Sequence, residues 1–217
     1  MAYTVKSIFY TLQGEGANTG KPAVFLRFAG CNLWSGRERD RAKGPGGCSR
    51  WCDTDFVGTA GPGGGRFHAA DALLRAVQSH WPQSATGGRV APFVVCTGGE
   101  PLLQLDEPLL SAFNGAGWFV AAETNGTLAP PPGRLWLTVS PKAKATLRVT
   151  RGNELKLIFP QSGAEPERFA NLPFEHFFLQ PLDDAHTGDN TREALQYCLA
   201  HPQWRLSLQT HKLLEIP

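Results

Sequence analysis

Cysteine is the residue type whose spacing in this sequence most clearly predicts chemistry. Cys31, Cys48 and Cys52 lie in one connection, with 16 residues between the first two and three between the last two. A structural zinc site normally has four protein ligands, and this loop contains no fourth cysteine and no histidine. A four-iron cluster held by three cysteines keeps one iron open for another ligand, which makes it a reactive site. We therefore favour a [4Fe–4S] cluster, with an incomplete zinc site or free thiols as the alternatives.

The remaining cysteines and the composition indicate the cellular location of the protein and the class of its ligand. Cys96 and Cys198 fall in a predicted strand and a predicted helix, where cysteine commonly packs as a small hydrophobic residue. The chain has five cysteines, an odd number, and its first residues do not resemble a signal peptide. We therefore expect no disulfide framework, and we expect a cytoplasmic location. A net charge of +2 favours no nucleic-acid partner, and no apolar run nears the roughly 18 residues of a membrane span. We expect a small-molecule ligand.

The elements that must position these residues alternate along the chain. Short runs rich in β-branched and aromatic residues predict strands at 24–28, 93–96, 118–121, 135–139, 154–159, 176–179 and 205–208. Apolar residues at helical spacing predict helices over 68–80 and 189–200, and stretches rich in Gly, Pro or charge predict surface loops at 37–50, 58–65 and 129–133.

This alternation indicates an α/β fold with a parallel sheet. The chain has 217 residues, fewer than the about 250 of a complete eight-unit barrel. We therefore expect an open, partial parallel β/α barrel, with a doubly wound sheet as the alternative. We expect one domain over 1–217 with a long cysteine loop at 31–52.

Polar residues follow the ends of four predicted strands. Cys31 follows the first, 97–100 the second, 123–125 the third and 140–142 the fourth. In parallel α/β folds, ligands bind at the carboxyl edge of the sheet. We therefore expect these residues to converge on one site.

The ordered set of motifs resembles a known enzyme family. FAGCNL at 28–33, CDTDF at 52–56, TGGEP at 97–101, ETNGT at 123–127 and SPK at 140–142 are similar to radical S-adenosylmethionine enzymes. TLQGEG at 11–16 and SLQTHK at 207–212 narrow the resemblance to the 7-carboxy-7-deazaguanine synthase family. The superfamily usually has three and then two residues between its cysteines, so the spacing here is a departure, although some members of this family carry a long first gap.

The resemblance implies a carbon–nitrogen lyase of the radical type. Its reaction would be ring contraction of 6-carboxy-5,6,7,8-tetrahydropterin to 7-carboxy-7-deazaguanine with loss of ammonia, a step towards queuosine. The open iron of the cluster would bind S-adenosylmethionine, whose cleavage gives a 5′-deoxyadenosyl radical that takes hydrogen from C6 of the pterin. Mg²⁺ and a homodimer are also implied. The alternatives are a radical enzyme that activates another protein and a zinc-stabilised binding module without activity.

The resemblance also assigns site residues, with no catalytic residue beyond the cofactors. The cluster ligands would be Cys31, Cys48 and Cys52, and the protein ligand of Mg²⁺ would be Thr54. S-adenosylmethionine would be bound by Gly98, Gly99, Glu100, Glu123, Ser140 and Lys142, and the pterin by Gln13, Glu15, Arg27, Thr97, His211 and the carboxylate of Pro217. The residue types suit these roles, because glycine permits close backbone approach, a guanidinium suits a carboxylate and a hydroxyl suits Mg²⁺. Ordinary turn residues and a solvated charged rim are the alternatives.

Two further segments carry predictions. The cysteine loop is locally basic, with Arg37, Arg39, Arg41, Lys43 and Arg50 against Glu38 and Asp40. It predicts a docking patch for an acidic electron donor such as flavodoxin, and a merely solvated loop is the alternative. At the C-terminus, Leu213, Leu214 and Ile216 are apolar enough to dock the tail, which would place His211 and Pro217 in the site unless the tail only seals the barrel.

Overall fold

The computed structural model of the chain describes residues 2–82 and 90–217. The strands in this part are Tyr3–Leu12 (β1), Pro22–Phe28 (β2), Gly65–Phe67 (β3), Phe93–Gly98 (β4), Phe119–Thr124 (β5), Trp136–Val139 (β6), Gly152–Phe159 (β7), Phe174–Pro181 (β8) and Trp204–Leu206 (β9). The helices are Ala70–Gln78 (α1), Glu107–Gly115 (α2), Thr187–Ala200 (α3) and Thr210–Leu213 (α4).

All nine strands form one sheet in the order β3-β1-β2-β4-β5-β6-β7-β8-β9. Neighbouring strands from β2 to β9 are parallel, whereas β1 is antiparallel to β2 and to β3. Within the described residues, the edge strands β3 and β9 do not pair with each other. The predicted open, partial parallel barrel is therefore confirmed.

Side chains of the parallel strands alternate between a covered face and a face that surrounds the barrel interior. Leu26, Phe28 and Cys96 belong to the main core beneath the helices. Arg27 and Thr97 alternate with them and line the interior cavity. This alternation is what lets a strand contribute both to the core and to a polar site.

The structure contains every predicted strand and both predicted helices, with shifted ends. β1 was not predicted, because a bulge between Val5 and Ser7 shifts its register and so breaks the two-residue alternation of buried side chains. β3 begins at Gly65, so the predicted loop at 58–65 is one residue too long. α2 was also missed, although Asp106 caps it by accepting a hydrogen bond from the amide of Leu109.

None of the helices in the described residues is both long enough and apolar enough to cross a membrane.

Candidate active site

A cavity of about 770 Å³ opens at the carboxyl ends of the parallel strands, within the roughly 300–1,000 Å³ usual for small-molecule sites. Every predicted site residue except Glu100 lines it, namely Gln13, Glu15, Arg27, Cys31, Cys48, Cys52, Thr54, Thr97, Gly98, Gly99, Glu123, Ser140, Lys142, His211 and Pro217. The fold thus brings residues from both ends of the chain to one place.

Glycine at positions 98 and 99 permits contact between two backbone segments. A Cβ on Gly98, whose φ is +134°, would lie 2.2 Å from the carbonyl oxygen of Phe28, and one on Gly99 would lie 2.3 Å from that of Gly30. The amide of Glu100 also donates to the carbonyl of Gly30, at 3.0 Å. The glycine turn therefore packs directly on the segment that leads to Cys31.

Glu100 lies behind the cavity wall, fully buried. Its carboxylate accepts hydrogen bonds from the amide of Leu102 at 3.0 Å, the hydroxyl of Thr124 at 2.8 Å and the amide of Asn125 at 2.8 Å. Burial raises the pKa of this carboxyl, and the three donors oppose that effect. In the described structure Glu100 ties the end of β4 to the end of β5 instead of facing the cavity.

The three loop cysteines are free thiols that line the same cavity. Burial raises the pKa of the Cys31 and Cys48 thiols. In residues 2–82 and 90–217, no group of three His, Cys, Asp or Glu side chains is placed to share a metal ion. A [4Fe–4S] cluster makes a different demand, because each thiolate binds its own iron, and three thiols around one cavity fit that donor set.

Arg41 organises the long first gap of the cysteine loop. Its guanidinium donates to the carbonyl of Ser49 at 2.6 Å and to that of Cys52 at 3.1 Å, and it lies 5.0 Å from the centre of the Trp34 ring. The hydroxyl of Ser49 donates back to the carbonyl of Arg41 at 2.6 Å. The inserted residues thus form two short 3₁₀ helices, Glu38–Lys43 and Cys48–Arg50, held together by one arginine.

Lys142 is the cationic group beside the thiols. Its ammonium donates to the hydroxyl of Ser140 at 2.8 Å and lies 5.3 Å from the centre of the Trp51 ring. Burial lowers the pKa of Lys142, and the nearby Cys48 acts in the opposite direction. A buried ammonium in this position can bind an anionic ligand group.

Gln13, Glu15 and Glu123 meet in another part of the cavity lining. The amide nitrogen of Gln13 donates to Glu123 at 2.9 Å. Glu15 forms an ion pair with Lys156 and accepts hydrogen bonds from the side-chain amides of Gln180 at 3.2 Å and Gln209 at 3.0 Å. The polar wall therefore extends beyond the predicted residues.

Lys156, Gln180 and Gln209 were missed from the sequence, yet all three line the cavity. In the described part of the chain, Gln180 Oε1 is buried without a hydrogen-bond partner, so it offers an acceptor for a ligand donor. For Lys156 a signal existed, since a lysine inside an apolar strand run must be paired when it is buried.

The C-terminal segment lies along the part of the cavity that Gln13, Gly14 and Glu15 line. The amide and hydroxyl of Thr210 both donate to the carbonyl of Gly14 at 3.0 Å, and a Cβ on Gly14 would lie 2.3 Å from His211 Nδ1. Lys212 forms ion pairs with Asp53 and Asp183. The tail is therefore anchored by polar contacts at the cavity mouth.

The expected apolar docking of this tail is wrong for two of its three residues. Leu213 and Leu214 are 71% and 59% exposed, so they cannot supply the burial that was expected to hold it. The hydrogen bonds and ion pairs of α4 replace that apolar contact.

Thr54 stands between two carboxylates that already have partners. Asp53 pairs with Lys212, and Asp55 lies 2.6 Å from Lys6. Thr54, between them in sequence, lines the cavity.

Comparison with known proteins decides the family. No family model matches the sequence. A 7-carboxy-7-deazaguanine synthase of Bordetella pertussis is 59% identical over 217 residues, and the match covers 100% of both chains. One of Caulobacter vibrioides is 57% identical over 217 residues, again with 100% of both chains covered. The chain belongs to the 7-carboxy-7-deazaguanine synthase family.

A solved structure agrees with this membership. The crystal structure of QueE from Escherichia coli matches with a TM-score of 0.68 and 28% identity, over 96% of this chain and 94% of that one. Membership in the family implies an iron–sulfur cluster and S-adenosylmethionine, and the three free thiols with no fourth cysteine in the lining fit the cluster. The activating-enzyme and zinc-module alternatives are therefore set aside.

Substitution of Glu100 tests whether its carboxylate holds the ends of β4 and β5 together. Glu100→Gln replaces one carboxylate oxygen by an NH₂ group, which cannot accept the hydrogen bond that Thr124, Leu102 or Asn125 now donates. We expect the free energy of unfolding to fall by about 1–3 kcal/mol in denaturant titrations. The matched control, Glu193→Gln on the exposed side of α3, should change it by less than about 0.5 kcal/mol. Equal effects in the two variants would contradict the bracing role of Glu100.

Proposed function

We propose that this chain converts 6-carboxy-5,6,7,8-tetrahydropterin to 7-carboxy-7-deazaguanine with loss of ammonia. The observation that carries the proposal is one cavity lined both by three free thiols and by Gln13 and Glu15. A radical enzyme needs a cluster site and a substrate site open to each other, and a single cavity with both sets of residues supports this arrangement.

The cluster side would be held by Cys31, Cys48 and Cys52, with S-adenosylmethionine beside them. The cluster and the nucleotide, when bound, supply the radical chemistry of the ring contraction. The backbone of Gly98 and Gly99 lines the cavity at the end of β4, where its peptide groups would face the nucleotide. The Lys142 ammonium would pair with a carboxylate group, and the hydroxyl of Ser140 orients that ammonium.

The pterin side would use charge and hydrogen bonding. Gln13 and Glu15 offer an amide and a carboxylate that pair with the amide and amino groups of a pterin edge. Arg27 and His211 can pair with the substrate carboxylate, and Thr97 and the carboxylate of Pro217 complete the lining. We propose Thr54 as the protein ligand of Mg²⁺, since this hard ion prefers oxygen ligands and keeps several waters.

Other attributes follow from the family resemblance. We propose that 1–217 works as one radical S-adenosylmethionine domain, that it forms a homodimer and that it acts in the cytoplasm. The single sheet that contains all nine strands supports the first of these.

Substitution of single cysteines distinguishes the proposed cluster ligands from the other cysteines. After anaerobic reconstitution with iron and sulfide, we expect the wild-type chain to form 7-carboxy-7-deazaguanine, detected by mass. Cys31→Ser should lose both product and bound iron, because oxygen is a poorer ligand than thiolate for an iron–sulfur cluster.

The matched control is Cys198→Ser on α3, which does not line the cavity. It should keep wild-type iron content and activity. Full iron content and turnover in Cys31→Ser would contradict the ligand assignment, and a wild-type chain that makes no product would contradict the function.

The C-terminal carboxylate can be tested by extending the chain. Pro217 lines the cavity, so a peptide bond to a C-terminal tag removes a charge from the site and adds bulk at its mouth. We expect KM for the pterin to rise about 10-fold or more, as for loss of a charge-assisted contact. The control is the same tag at the N-terminus, where Ala2 is exposed. Unchanged kinetics with the C-terminal tag would exclude a role for this carboxylate.

We propose that the cysteine loop also receives electrons from an acidic donor such as flavodoxin. Arg39 suits this role, because its side chain is 73% exposed and lies 3.9 Å from its nearest acidic partner, Asp40. Arg41 does not, since its guanidinium binds the loop carbonyls. The proposed docking patch therefore includes Arg39 but not Arg41, so it has fewer residues than the charge count of the loop indicated.

Charge reversal at Arg39 tests this docking. We expect Arg39→Glu to slow reduction by flavodoxin about 3-fold to 10-fold at low ionic strength, with the difference lost at high salt. Arg151→Glu is the control, since Arg151 is exposed and lies at the amino end of β7. The cysteine loop instead follows the carboxyl end of β2. A rate that responds equally to both changes, or not at all, would contradict the patch.

A further inference from the structure

Two buried charged residues on β7 lie outside every motif that predicted the site. Glu154 and Lys156 are 2% and 5% exposed. They alternate with Leu155 and Leu157, which belong to the main core, so both face the barrel interior. Burying a charge is costly unless it is paired, and their partners therefore indicate what they do.

Lys156 is paired with the proposed pterin ligand Glu15. The ammonium forms an ion pair with Glu15 Oε2, while Gln180 and Gln209 donate to Oε1. Burial alone would raise the pKa of the Glu15 carboxyl, but the charge and hydrogen bond of Lys156 and the hydrogen bond of Gln209 lower it. The carboxylate is therefore held ionised and in one orientation.

Glu154 fixes the backbone of the same turn. Its carboxylate accepts from the amide of Ala17 at 3.0 Å, from the indole of Trp136 and from the hydroxyl of Thr138 at 3.3 Å. A Cβ on Gly16, whose φ is +67°, would lie 2.1 Å from Glu154 Oε2. Gly16 thus lets the turn rest directly on this carboxylate, so residues 15–17 are anchored to β7 by both backbone and side chain.

We propose that Lys156 is a positioning residue for pterin recognition, which acts by fixing the Glu15 carboxylate as a hydrogen-bond acceptor that faces the cavity. The inference rests on the proposed function, because it takes Glu15 as a pterin ligand. Lys156 is tied to the substrate side of the site and has no hydrogen bond to the glycine turn or the cysteine loop in the described structure.

Removal of the ammonium has a consequence that a purely structural role would not have. The charged and titratable groups around this pair are Lys156 and Glu154 of β7, Glu123 at the end of β5, Lys142 after β6 and His211 of α4. Burial is the largest influence on the Glu15 carboxyl, and Lys156 is the main group that opposes it. Without Lys156 the pKa of Glu15 therefore rises. A protonated carboxyl presents an O–H donor where the pterin needs an acceptor.

The test compares Lys156→Met with the wild type in reconstituted protein. We expect the Kd of the pterin, measured by equilibrium binding with S-adenosylmethionine present, and its KM to rise about 10-fold or more. The loss should be larger at about pH 6.5 than at about pH 8.5, because ionisation of Glu15 at the higher pH restores the acceptor. The Kd of S-adenosylmethionine should not change.

Three further variants isolate the pair. Lys156→Arg keeps the charge and should recover most of the pterin affinity and the flat pH profile. Glu15→Gln/Lys156→Met should bind the pterin no more weakly than Glu15→Gln alone, since Lys156 acts only through Glu15. Arg192→Met, which removes an exposed ion pair on α3, should behave as the wild type.

Each outcome bears on the proposal. Wild-type pterin affinity in Lys156→Met, or a further loss of about 10-fold in the double variant, would overturn it. If Lys156→Met does not fold, the double variant replaces it in the test, because it lacks both buried charges. Its pterin affinity is then compared with that of Glu15→Gln. A wild-type chain that neither binds nor converts the pterin would overturn the proposed function itself, which separates that failure from the failure of this inference.

Discussion

Close packing between two backbone segments fixes the geometry of the cavity. Parallel pairing of β2 and β4 places Phe28 beside Gly98, and the absence of side chains at Gly98 and Gly99 lets the carbonyl groups of residues 28 and 30 approach them. A larger residue there would force the turn away from the segment that carries Cys31. The first cysteine and the glycine turn are therefore held by one contact, so neither can move without the other.

Charge compensation fixes the rest of the lining. Glu15, Glu123, Lys142 and Lys156 all line a cavity enclosed by a sheet, where unpaired charge is costly. Glu15, Glu123 and Lys156 have partners on other strands or loops, whereas Lys142 donates to Ser140 of its own segment and lies against the Trp51 ring. A buried hydrogen-bonded network of this kind is rigid, which suits a reaction whose reactive species must meet one substrate atom in one orientation.

The sequence predicted the strands and the shared site well, because buried strands are short apolar runs and polar residues follow their ends. It did not predict β1, since a bulge breaks its alternation, or the Glu15–Lys156 pair, since 141 positions separate the two residues. The sequence predicts Leu213 and Leu214 as anchors of the tail, yet the anchors are Thr210 and Lys212. Hydrophobicity is visible in a local pattern, whereas the partner of a polar group depends on the finished fold.

The account depends on an iron–sulfur cluster that three thiols hold with one iron open to S-adenosylmethionine. Electron paramagnetic resonance of the reconstituted, chemically reduced chain tests this most directly, with spectra recorded before and after S-adenosylmethionine is added. The account predicts a [4Fe–4S] signal that changes when S-adenosylmethionine binds. A chain without an iron signal, or with a signal that S-adenosylmethionine leaves unaltered, would contradict it.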